Sequence, residues 1–314
     1  MVNVWKIGTT ILRYRGGFNQ WAWAVNRVAG LGVLLFLGLH IADIFVVAFG
    51  STLFNNLLFL YKGPPARILE VFLSFGLIYH GLNGLRITAA DFVPRWAVLK
   101  SSRIALTLQL VVFSVLFLPA SFFMMWTLPE QPFHHNLWIA VGVTLAVLLL
   151  PLIVVYAGQL KMFIFMPGWE TRDANYEALL AKSMTTTRQD HQSRTEFNLW
   201  FFMRISGILL IILALFHMFW MHFVIGVENI TFDTIVQRWN DPLHPFLNLF
   251  WRSYDLALLA FAFTHGVLGA NYSIRDYVRA HRARKWLQAG LVVVWVVLIL
   301  LGAGIIFFFA GKIS

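Results

Sequence analysis

Seven windows of this chain are each long and apolar enough to cross the hydrocarbon core of a membrane. A spanning helix needs about 20 mostly apolar residues. Of all residues, 59% are hydrophobic and only 12% are charged, which lies outside the range of a soluble globular domain. The chain is therefore predicted to be an all-α integral membrane protein with seven transmembrane helices. The windows cover residues 24–49, 67–90, 103–127, 136–163, 201–226, 250–274 and 286–309.

The net charge of +10 follows the sidedness of a membrane and does not indicate nucleic acid. With seven spans and the N-terminus inside, the inner segments hold 19 of the 24 Lys and Arg residues. Positive charge concentrates on the cytoplasmic side of membrane proteins. We therefore expect a multi-pass protein of a prokaryotic cytoplasmic (inner) membrane, with its C-terminus outside and no nucleic-acid partner. The first residues do not read as a cleavable signal, so the first helix is expected to direct insertion.

Four histidines lie within four different apolar windows and form two matched pairs. His40 and His217 each follow an Arg-x-x-Gly by 13 residues, whereas His80 and His265 each open a His-Gly-x-x-Gly and precede an Asp-aromatic by 11 residues. An ionisable side chain in hydrocarbon is costly and needs a partner. Four at symmetric positions indicate metal ligands. Because the chain has no cysteine, haem iron is the natural candidate, and any iron–sulfur cluster belongs to another subunit.

The repeated motifs indicate an internal duplication. Residues 1–127 and 198–314 are each expected to form a three-helix haem-binding repeat, and residues 128–197 a linker transmembrane helix followed by an inner polar loop. Three spans reverse the sidedness of a chain, so the extra span at 136–163 lets both repeats insert in the same direction. Two parallel repeats related by an axis along the membrane normal follow.

Symmetry predicts which histidines pair. Residues related by such an axis lie at equal depth, so His40 pairs with His217 and His80 with His265. Each pair can hold one haem b by bis-histidine ligation, which saturates the iron and favours electron transfer over oxygen chemistry. Helix rise puts the first pair nearer the outer face and the second nearer the inner face. His222 is an alternative ligand to His217, which is preferred because it keeps the 13-residue spacing.

Glycine and arginine residues flank these histidines. The two glycines of each His-Gly-x-x-Gly remove side-chain bulk beside the predicted ligand, and next to His, twice, this favours haem contact over plain helix packing. Arg67 and Arg252 lie at the outer ends of the second helices, where they can contact the propionates of the outer haem. Snorkelling to lipid headgroups explains these two residues equally well.

A polar and aromatic cluster is predicted at the inner face. Arg27 and Trp23 begin the first helix of repeat one, whereas Asp276 and Tyr277 end the second helix of repeat two. Tyr, Trp and Arg can donate hydrogen bonds to the carbonyl oxygens of a quinone, and an aspartate near water can relay protons. An ordinary interfacial belt of aromatic and charged residues accounts for the same pattern equally well.

The motifs resemble a known family. Asn-Arg-Val-Ala-Gly at 26–30 with the later His40, and His-Gly-Leu-Asn-Gly-Leu-Arg at 80–86 with the later Asp91, resemble the larger cytochrome b anchor subunit of succinate dehydrogenase or fumarate reductase (complex II). His265 with its Asp-Tyr pair is similar to the smaller anchor subunit. The similarity covers nearly the whole chain, as two three-helix anchors fused through an extra span.

This resemblance implies a di-haem b anchor that passes electrons between an iron–sulfur subunit and membrane quinone, either menaquinone or ubiquinone. The anchor takes no dicarboxylate itself. The implied partners are the iron–sulfur subunit and the FAD flavoprotein subunit on the inner face, membrane lipid, and further copies of the complex in a higher oligomer. The implied roles are His80 and His265 for the haem nearer the dehydrogenase, His40 and His217 for the distal haem, and Arg27, Tyr277 and Asp276 for quinone.

Two departures and two alternatives accompany this interpretation. Trp23 stands where single-haem members carry Ser, and the fourth span is absent from the usual two-subunit anchors. A haem b subunit of another quinone-linked dehydrogenase is one alternative, against which the doubled His-Gly-x-x-Gly with its Asp-aromatic argues. A proton-coupled secondary transporter, using intramembrane charges such as Asp43, is the other. Transport does not require four symmetric histidines.

Overall fold

The computed structural model describes residues 18–93, 103–126 and 194–311, and every regular element in these ranges is a helix. Six of these helices are long and apolar enough to cross a membrane. The all-α membrane prediction is therefore confirmed, whereas the predicted fourth span at 136–163 lies outside the described residues. The six are α1 (Phe18–Phe45), α3 (Pro64–Phe92), α4 (Arg103–Trp126), α5 (Arg194–Phe219), α7 (Pro245–Tyr277) and α8 (His281–Phe308).

Two short helices, α2 (Ser51–Tyr61) and α6 (Phe232–Asn240), were not predicted. Each follows the first long helix of its half of the chain. The turn towards α2 passes through Gly50 at φ 101°, and the turn towards α6 passes through Gly226 at φ 80°. Glycine adopts such positive φ angles without the steric cost that a Cβ atom would bring. In both halves, therefore, a glycine with positive φ lies between the first long helix and the short helix.

Within each half of the chain, successive long helices run in opposite directions. The start of α1 meets the end of α7 through an ion pair between Arg27 and Asp276, and the start of α5 meets the end of α3 through Arg204 and Asp91. We call this end of the bundle the Arg27 end. At the opposite end, Arg252 at the start of α7 donates hydrogen bonds to backbone carbonyls at the end of α8. The last carbonyls of a helix lack intrahelical donors, so this arginine satisfies them.

The buried apolar side chains form two clusters. One lies among α1, α2, α6, α7 and α8, and includes Val236, Trp239 and Phe263. The other joins α3 to α4 and contains Phe113 and Phe117, which are fully buried. Large apolar side chains also cover the outward surfaces of the long helices. An apolar exterior of this kind suits lipid contact and does not suit water.

Candidate haem and quinone sites

The pair His80 and His265 is formed by the middle of α3 and the middle of α7. The centres of the two imidazole rings lie 6.2 Å apart, with the ring planes nearly perpendicular at 86°. The sequence spacing predicted this pairing, and the two side chains do lie together. Since α3 and α7 come from different halves of the chain, neither half contains the pair by itself.

Both rings of this pair are oriented through their Nδ1 atoms. Nδ1 of His80 lies 3.0 Å from the backbone oxygen of Asn26, to which it can only donate. Nδ1 of His265 lies 2.8 Å from Oγ of Ser206, whose hydroxyl donates in turn to the Phe202 carbonyl. In both rings the proton is therefore assigned to Nδ1, which leaves Nε2 with a free lone pair. Metal-binding histidines characteristically donate their other N–H group in this way.

The second pair, His40 and His217, lies nearer the other end of the bundle, on α1 and α5. Its ring centres are 6.3 Å apart, and Phe36 stacks against His40 with ring centres 5.5 Å apart. Nδ1 of His217 is buried and has no hydrogen-bond partner within the described ranges. His222 lies in the π-helical turn Trp220–Ile225 that follows α5, and its Nδ1 is likewise buried without such a partner. Of His217 and His222, it is His217 whose ring lies beside that of His40.

The two ring separations fit one iron between each pair. An imidazole nitrogen lies about 2.0 Å from a bound metal, so two imidazoles on opposite sides of one ion place their ring centres about 6 Å apart. The measured separations are 6.2 and 6.3 Å. In the described part of the chain no group of three or more His, Cys, Asp or Glu side chains could hold a metal ion. Two imidazoles on opposite sides of one ion are the donor set of bis-histidine haem iron.

Glycines adjoin the pairs in two different ways. A Cβ atom on Gly84 or Gly269 would meet nothing within 4 Å in the described residues, which leaves open space one turn beyond each histidine of the His80–His265 pair. A Cβ atom on Gly30 would instead lie 2.8 Å from the His80 ring, and one on Gly207 would lie 3.5 Å from the His265 ring. The glycine of each Arg-x-x-Gly thus makes room for a histidine of the other motif.

The two arginines predicted to contact propionates both have protein partners. Arg67 is 1% exposed and pairs with Glu70 at 3.1 Å and Glu228 at 3.2 Å. Its Nε atom is buried and has no partner among the residues that the structure describes. Arg252 donates to Oδ1 of Asn240 as well as to the carbonyls at the end of α8. Contact with a propionate therefore stays a prediction, for which Arg67 offers a free donor.

The four residues predicted to bind quinone lie together at the Arg27 end, and we call them the Arg27 cluster. Arg27 pairs with Asp276, and its guanidinium carbon lies 4.4 Å from the ring centre of Trp23 and 5.6 Å from that of Tyr277. The two aromatic rings are 6.4 Å apart and both are exposed. At the surface of the bundle, the cluster therefore combines a guanidinium group and a carboxylate with the ring of Trp23 and the phenol of Tyr277.

A second cluster mirrors the first, and the sequence interpretation did not predict it. Arg204 pairs with Asp91 at 2.8 Å, its guanidinium carbon lies 5.6 Å from the Trp200 ring centre, and that ring lies 5.7 Å from Phe92. We call these four residues the Arg204 cluster. The repeated motifs could have indicated it, because all four residues stand at positions equivalent to those of the Arg27 cluster. Only the phenol is missing, since Phe92 replaces Tyr277.

Comparison with known proteins identifies the family. Residues 6–120 and 179–304 match the family described as succinate dehydrogenase/fumarate reductase transmembrane subunit. A relative from Mycobacterium tuberculosis, the succinate dehydrogenase 2 membrane subunit SdhC, is 31% identical over 110 residues. That alignment covers 34% of this chain and 77% of the relative. The chain belongs to this family. The resemblance inferred from its motifs is confirmed, and the protein is a membrane subunit of the cytochrome b type.

Proposed function

We propose that this chain is the di-haem b anchor of a succinate:quinone oxidoreductase or fumarate reductase, passing electrons between an iron–sulfur subunit and membrane quinone. The observation that carries the proposal is the pair of cross-helix histidine contacts, with ring centres 6.2 and 6.3 Å apart. Haem b held between each pair would supply a one-electron carrier with no open position for oxygen. His80 and His265 would ligate one haem, and His40 and His217 the other.

The residues of the protein prepare the His80–His265 site for such a group. The Asn26 carbonyl and the Ser206 hydroxyl hold the Nδ1 atoms, so both rings are oriented and Nε2 is available without loss of a proton. Both histidines lie midway along helices that are long and apolar enough to span a membrane. The protein would thus contribute the ligands and their orientation.

Quinone is proposed to bind at the Arg27 cluster. Reduction of a quinone requires donors for its carbonyl oxygens and a supply of protons. Arg27 and Tyr277 can donate to the oxygens, Trp23 offers an aromatic face, and the half-exposed Asp276 can exchange protons with water. In this proposal the Arg27 end is the inner side of a prokaryotic cytoplasmic membrane, where the iron–sulfur subunit and the FAD flavoprotein subunit dock.

The proposal further includes two fused parallel repeats. The two separate segments that match one family support a duplication, and so does the mirrored pair of clusters at one end of the bundle. Parallel repeats require an even number of spans before the second repeat begins, and the proposed fourth span would complete that number.

The haem proposal is tested by spectroscopy of the purified protein. We expect b-type absorption bands with about two haems per chain, from bis-histidine ligation by both pairs. His80→Ala and His265→Ala should remove the same haem and leave the other in place. His222→Ala serves as the matched control and should leave both haems bound. Loss of different haems in the first two variants, or a colourless wild-type protein, would contradict the proposal.

The quinone proposal is tested with the two mirrored arginines. Arg27→Gln and Arg204→Gln each break one ion pair between the halves of the chain, so a purely structural role predicts equal effects. We expect Arg27→Gln to slow quinone reduction by the assembled complex at least about tenfold, because a donor to the quinone is lost, and Arg204→Gln to have little effect. Reduction of an artificial dye by the dehydrogenase subunits should stay unchanged. Equal losses in both variants would place quinone elsewhere.

A further inference from the structure

A buried polar layer lies between α3 and α4, one turn closer to the Arg27 end than the aromatic contacts that join these helices. Phe117 contacts Phe75 with ring centres 5.6 Å apart, and one turn along the helices Phe113 contacts Tyr79 at 5.9 Å. Because the two helices are antiparallel, the next turn towards the Arg27 end brings Gln109 and Asn83 to the same level. An apolar pair is replaced there by two amides within the membrane-spanning region.

These amides are buried and incompletely hydrogen-bonded. Asn83 is 0% exposed and Gln109 is 7% exposed. Arg86 donates to Oδ1 of Asn83 at 2.8 Å, but Nδ2 of Asn83 and both amide atoms of Gln109 have no partner in the part of the chain that the structure describes. Leaving a buried polar group without a hydrogen-bond partner destabilises the folded state. Buried water commonly satisfies such groups, with about three hydrogen bonds per molecule.

In the other half of the chain, the equivalent polar side chains hydrogen-bond directly to each other. Asn271 stands at the position equivalent to Arg86, and Gln288 on α8 donates to its Oδ1 at 2.7 Å. Leu268 stands where the first half has Asn83. The polar contact between α7 and α8 is therefore closed by a direct hydrogen bond, whereas the layer between α3 and α4 is left with unsatisfied donors and an acceptor.

Further unsatisfied atoms lead from this layer towards the Arg27 cluster. The Asn26 backbone oxygen contacts the His80 ring on α3, so Asn26 lies at the interface of α1 with α3. Its side-chain Oδ1 is buried, as is Nη1 of the adjacent Arg27, and neither atom has a hydrogen-bond partner within the described residues. Tyr79, one turn before Asn83 on α3, contacts Phe113 of α4 and also donates to the Ala22 carbonyl of α1, so this face of α3 meets both helices. Unsatisfied polar atoms on α4, α3 and α1 thus extend to the residue that pairs with Asp276.

We propose that Gln109, Asn83 and Asn26 hold a file of ordered water molecules that delivers protons to the Arg27 cluster. This inference rests on the proposed reduction of quinone there. That reaction takes up two electrons, supplied by the dehydrogenase subunits, and two protons, which bond to the two carbonyl oxygens. Asp276 faces the surface of the bundle, whereas the water file reaches Arg27 from within the bundle. The water file would supply protons when the bound dehydrogenase subunits cover Asp276 and block its exchange with water.

The proposal is tested with the double variant Asn83→Leu with Gln109→Leu, which keeps approximate volume but leaves no hydrogen-bonding groups to hold water. In the assembled complex, we expect quinone reduction to slow at least about tenfold and its solvent deuterium isotope effect to rise, because proton delivery becomes limiting. Haem reduction by succinate should be unchanged. The matched control, Asn271→Leu with Gln288→Leu, removes a pair that is already satisfied and should change neither quantity.

Structural evidence gives a readout that does not depend on activity. A high-resolution map of the wild-type complex should show water density between Asn83 and Gln109. If the double variant does not assemble, Gln109→Leu alone keeps the Arg86–Asn83 contact and should show the same rise in the isotope effect. A dry layer in a complex that reduces quinone, or an assembled variant with unchanged kinetics, would overturn the proton route alone. A wild-type complex that reduces no quinone would overturn the proposed function as well.

Discussion

The two histidine pairs differ in how firmly their rings are held. His80 and His265 each engage a protein group through Nδ1, whereas Nδ1 of His217 is buried and has no partner among the described side chains and backbone groups. A hydrogen bond at Nδ1 fixes the orientation of a ligand ring and raises its basicity. We therefore infer that the His80–His265 site is the more preorganised of the two, and that a haem there is retained more firmly.

Gly30 leaves the space in which the His80 ring lies. In Gly30→Ala the new Cβ atom would lie 2.8 Å from Cε1 and 2.9 Å from Nδ1 of His80, so the ring must move away from the Asn26 carbonyl. We expect overpacking to lower the stability of the folded protein by about 1–3 kcal/mol. We also expect the variant to lose the haem proposed at this pair. Absorption spectra and thermal unfolding of the purified variant measure both effects.

Gly32 provides the control for this substitution. It lies on the same helix, and a Cβ atom there would meet nothing within 4 Å in the described ranges. Gly32→Ala should therefore retain full haem content. If both variants keep their spectra, the contact between Gly30 and His80 has no role in ligand orientation.

At the level of residues, the sequence predicted which histidines meet but not what orients them. The spacings of 13 and 11 residues carry the symmetry, and symmetry alone leads to the pairs. The partner of His265 depends on the rotation of α5, which brings Ser206 and not Ile205 towards α7. A repeated motif does not specify that rotation, and the equivalent residue in the first half is Ala29. The partner of His80 is a backbone carbonyl, and every residue has a backbone carbonyl, so the sequence carries no signal for this contact.

Helix α6 shows how a short element is fixed at the end of the bundle opposite the Arg27 end. Its buried face consists of apolar residues such as Val236, and Arg238 on the same helix binds Asp255 of α7 at 2.8 and 2.5 Å. The indole of Trp239 donates to the same carboxylate at 2.8 Å. Three charge-assisted hydrogen bonds thus join α6 to the first turns of α7, with both charged side chains nearly buried.

Removing the charge of Asp255 should detach α6. In Asp255→Asn the buried Arg238 loses its counter-charge, which typically costs about 3–5 kcal/mol when one partner of a buried pair is removed. We expect a lower unfolding temperature and faster proteolysis within residues 226–244. Differential scanning fluorimetry and limited proteolysis of the detergent-solubilised protein measure these changes.

Asp241→Asn is the matched control for this prediction. Asp241 also pairs with a basic side chain, since the hydrogen bond from His244 lowers the pKa of its carboxyl group, but that pair lies at the surface. Exposed pairs contribute little to stability. Equal destabilisation by both substitutions would show that burial of the Arg238–Asp255 pair is unimportant.

At the level of elements, hydropathy located all six long helices, with ends displaced by up to seven residues, but missed α2 and α6. Helix α6 has only nine residues, and its polar face holds Asp233, Gln237 and Asn240, so no window of spanning length could include it. A short helix at a membrane surface is stabilised by what it packs against. Its contacts with α2, such as the Phe232 amide donating to Asn55, come from distant sequence. Local pattern therefore could not reveal it.

The two halves of the described chain are joined by ring contacts and ion pairs between them. Both histidine pairs, the Arg27–Asp276 and Arg204–Asp91 ion pairs, and the contact of Arg67 with Glu228 each join residues 18–126 to residues 194–311. The parallel arrangement of two repeats predicted the histidine contacts. The crossed ion pairs were not predicted as a set, because only one of the two clusters was recognised from its chemistry.

Crossed contacts predict that two separate chains can reassemble. If residues 1–180 and 181–314 are co-expressed as separate polypeptides, we expect them to copurify and to show the b-type spectrum of the intact protein. Either fragment alone should bind no haem through two histidines, since each contains only one histidine of each pair. Copurification and pyridine haemochrome assays measure the outcome. A haem-loaded single fragment would contradict the crossed pairing.

The order in which the four proposed haem ligands leave the ribosome has a consequence for biogenesis. His40 and His80 emerge early and wait without iron-binding partners until His217 and then His265 have entered the bilayer. A truncated product that stops before His217 thus carries only one histidine of each proposed pair and cannot ligate a haem through two imidazoles. Binding of both proposed haems would thereby report that translation has passed His265, so shorter chains would be distinguishable from finished ones by their absorption.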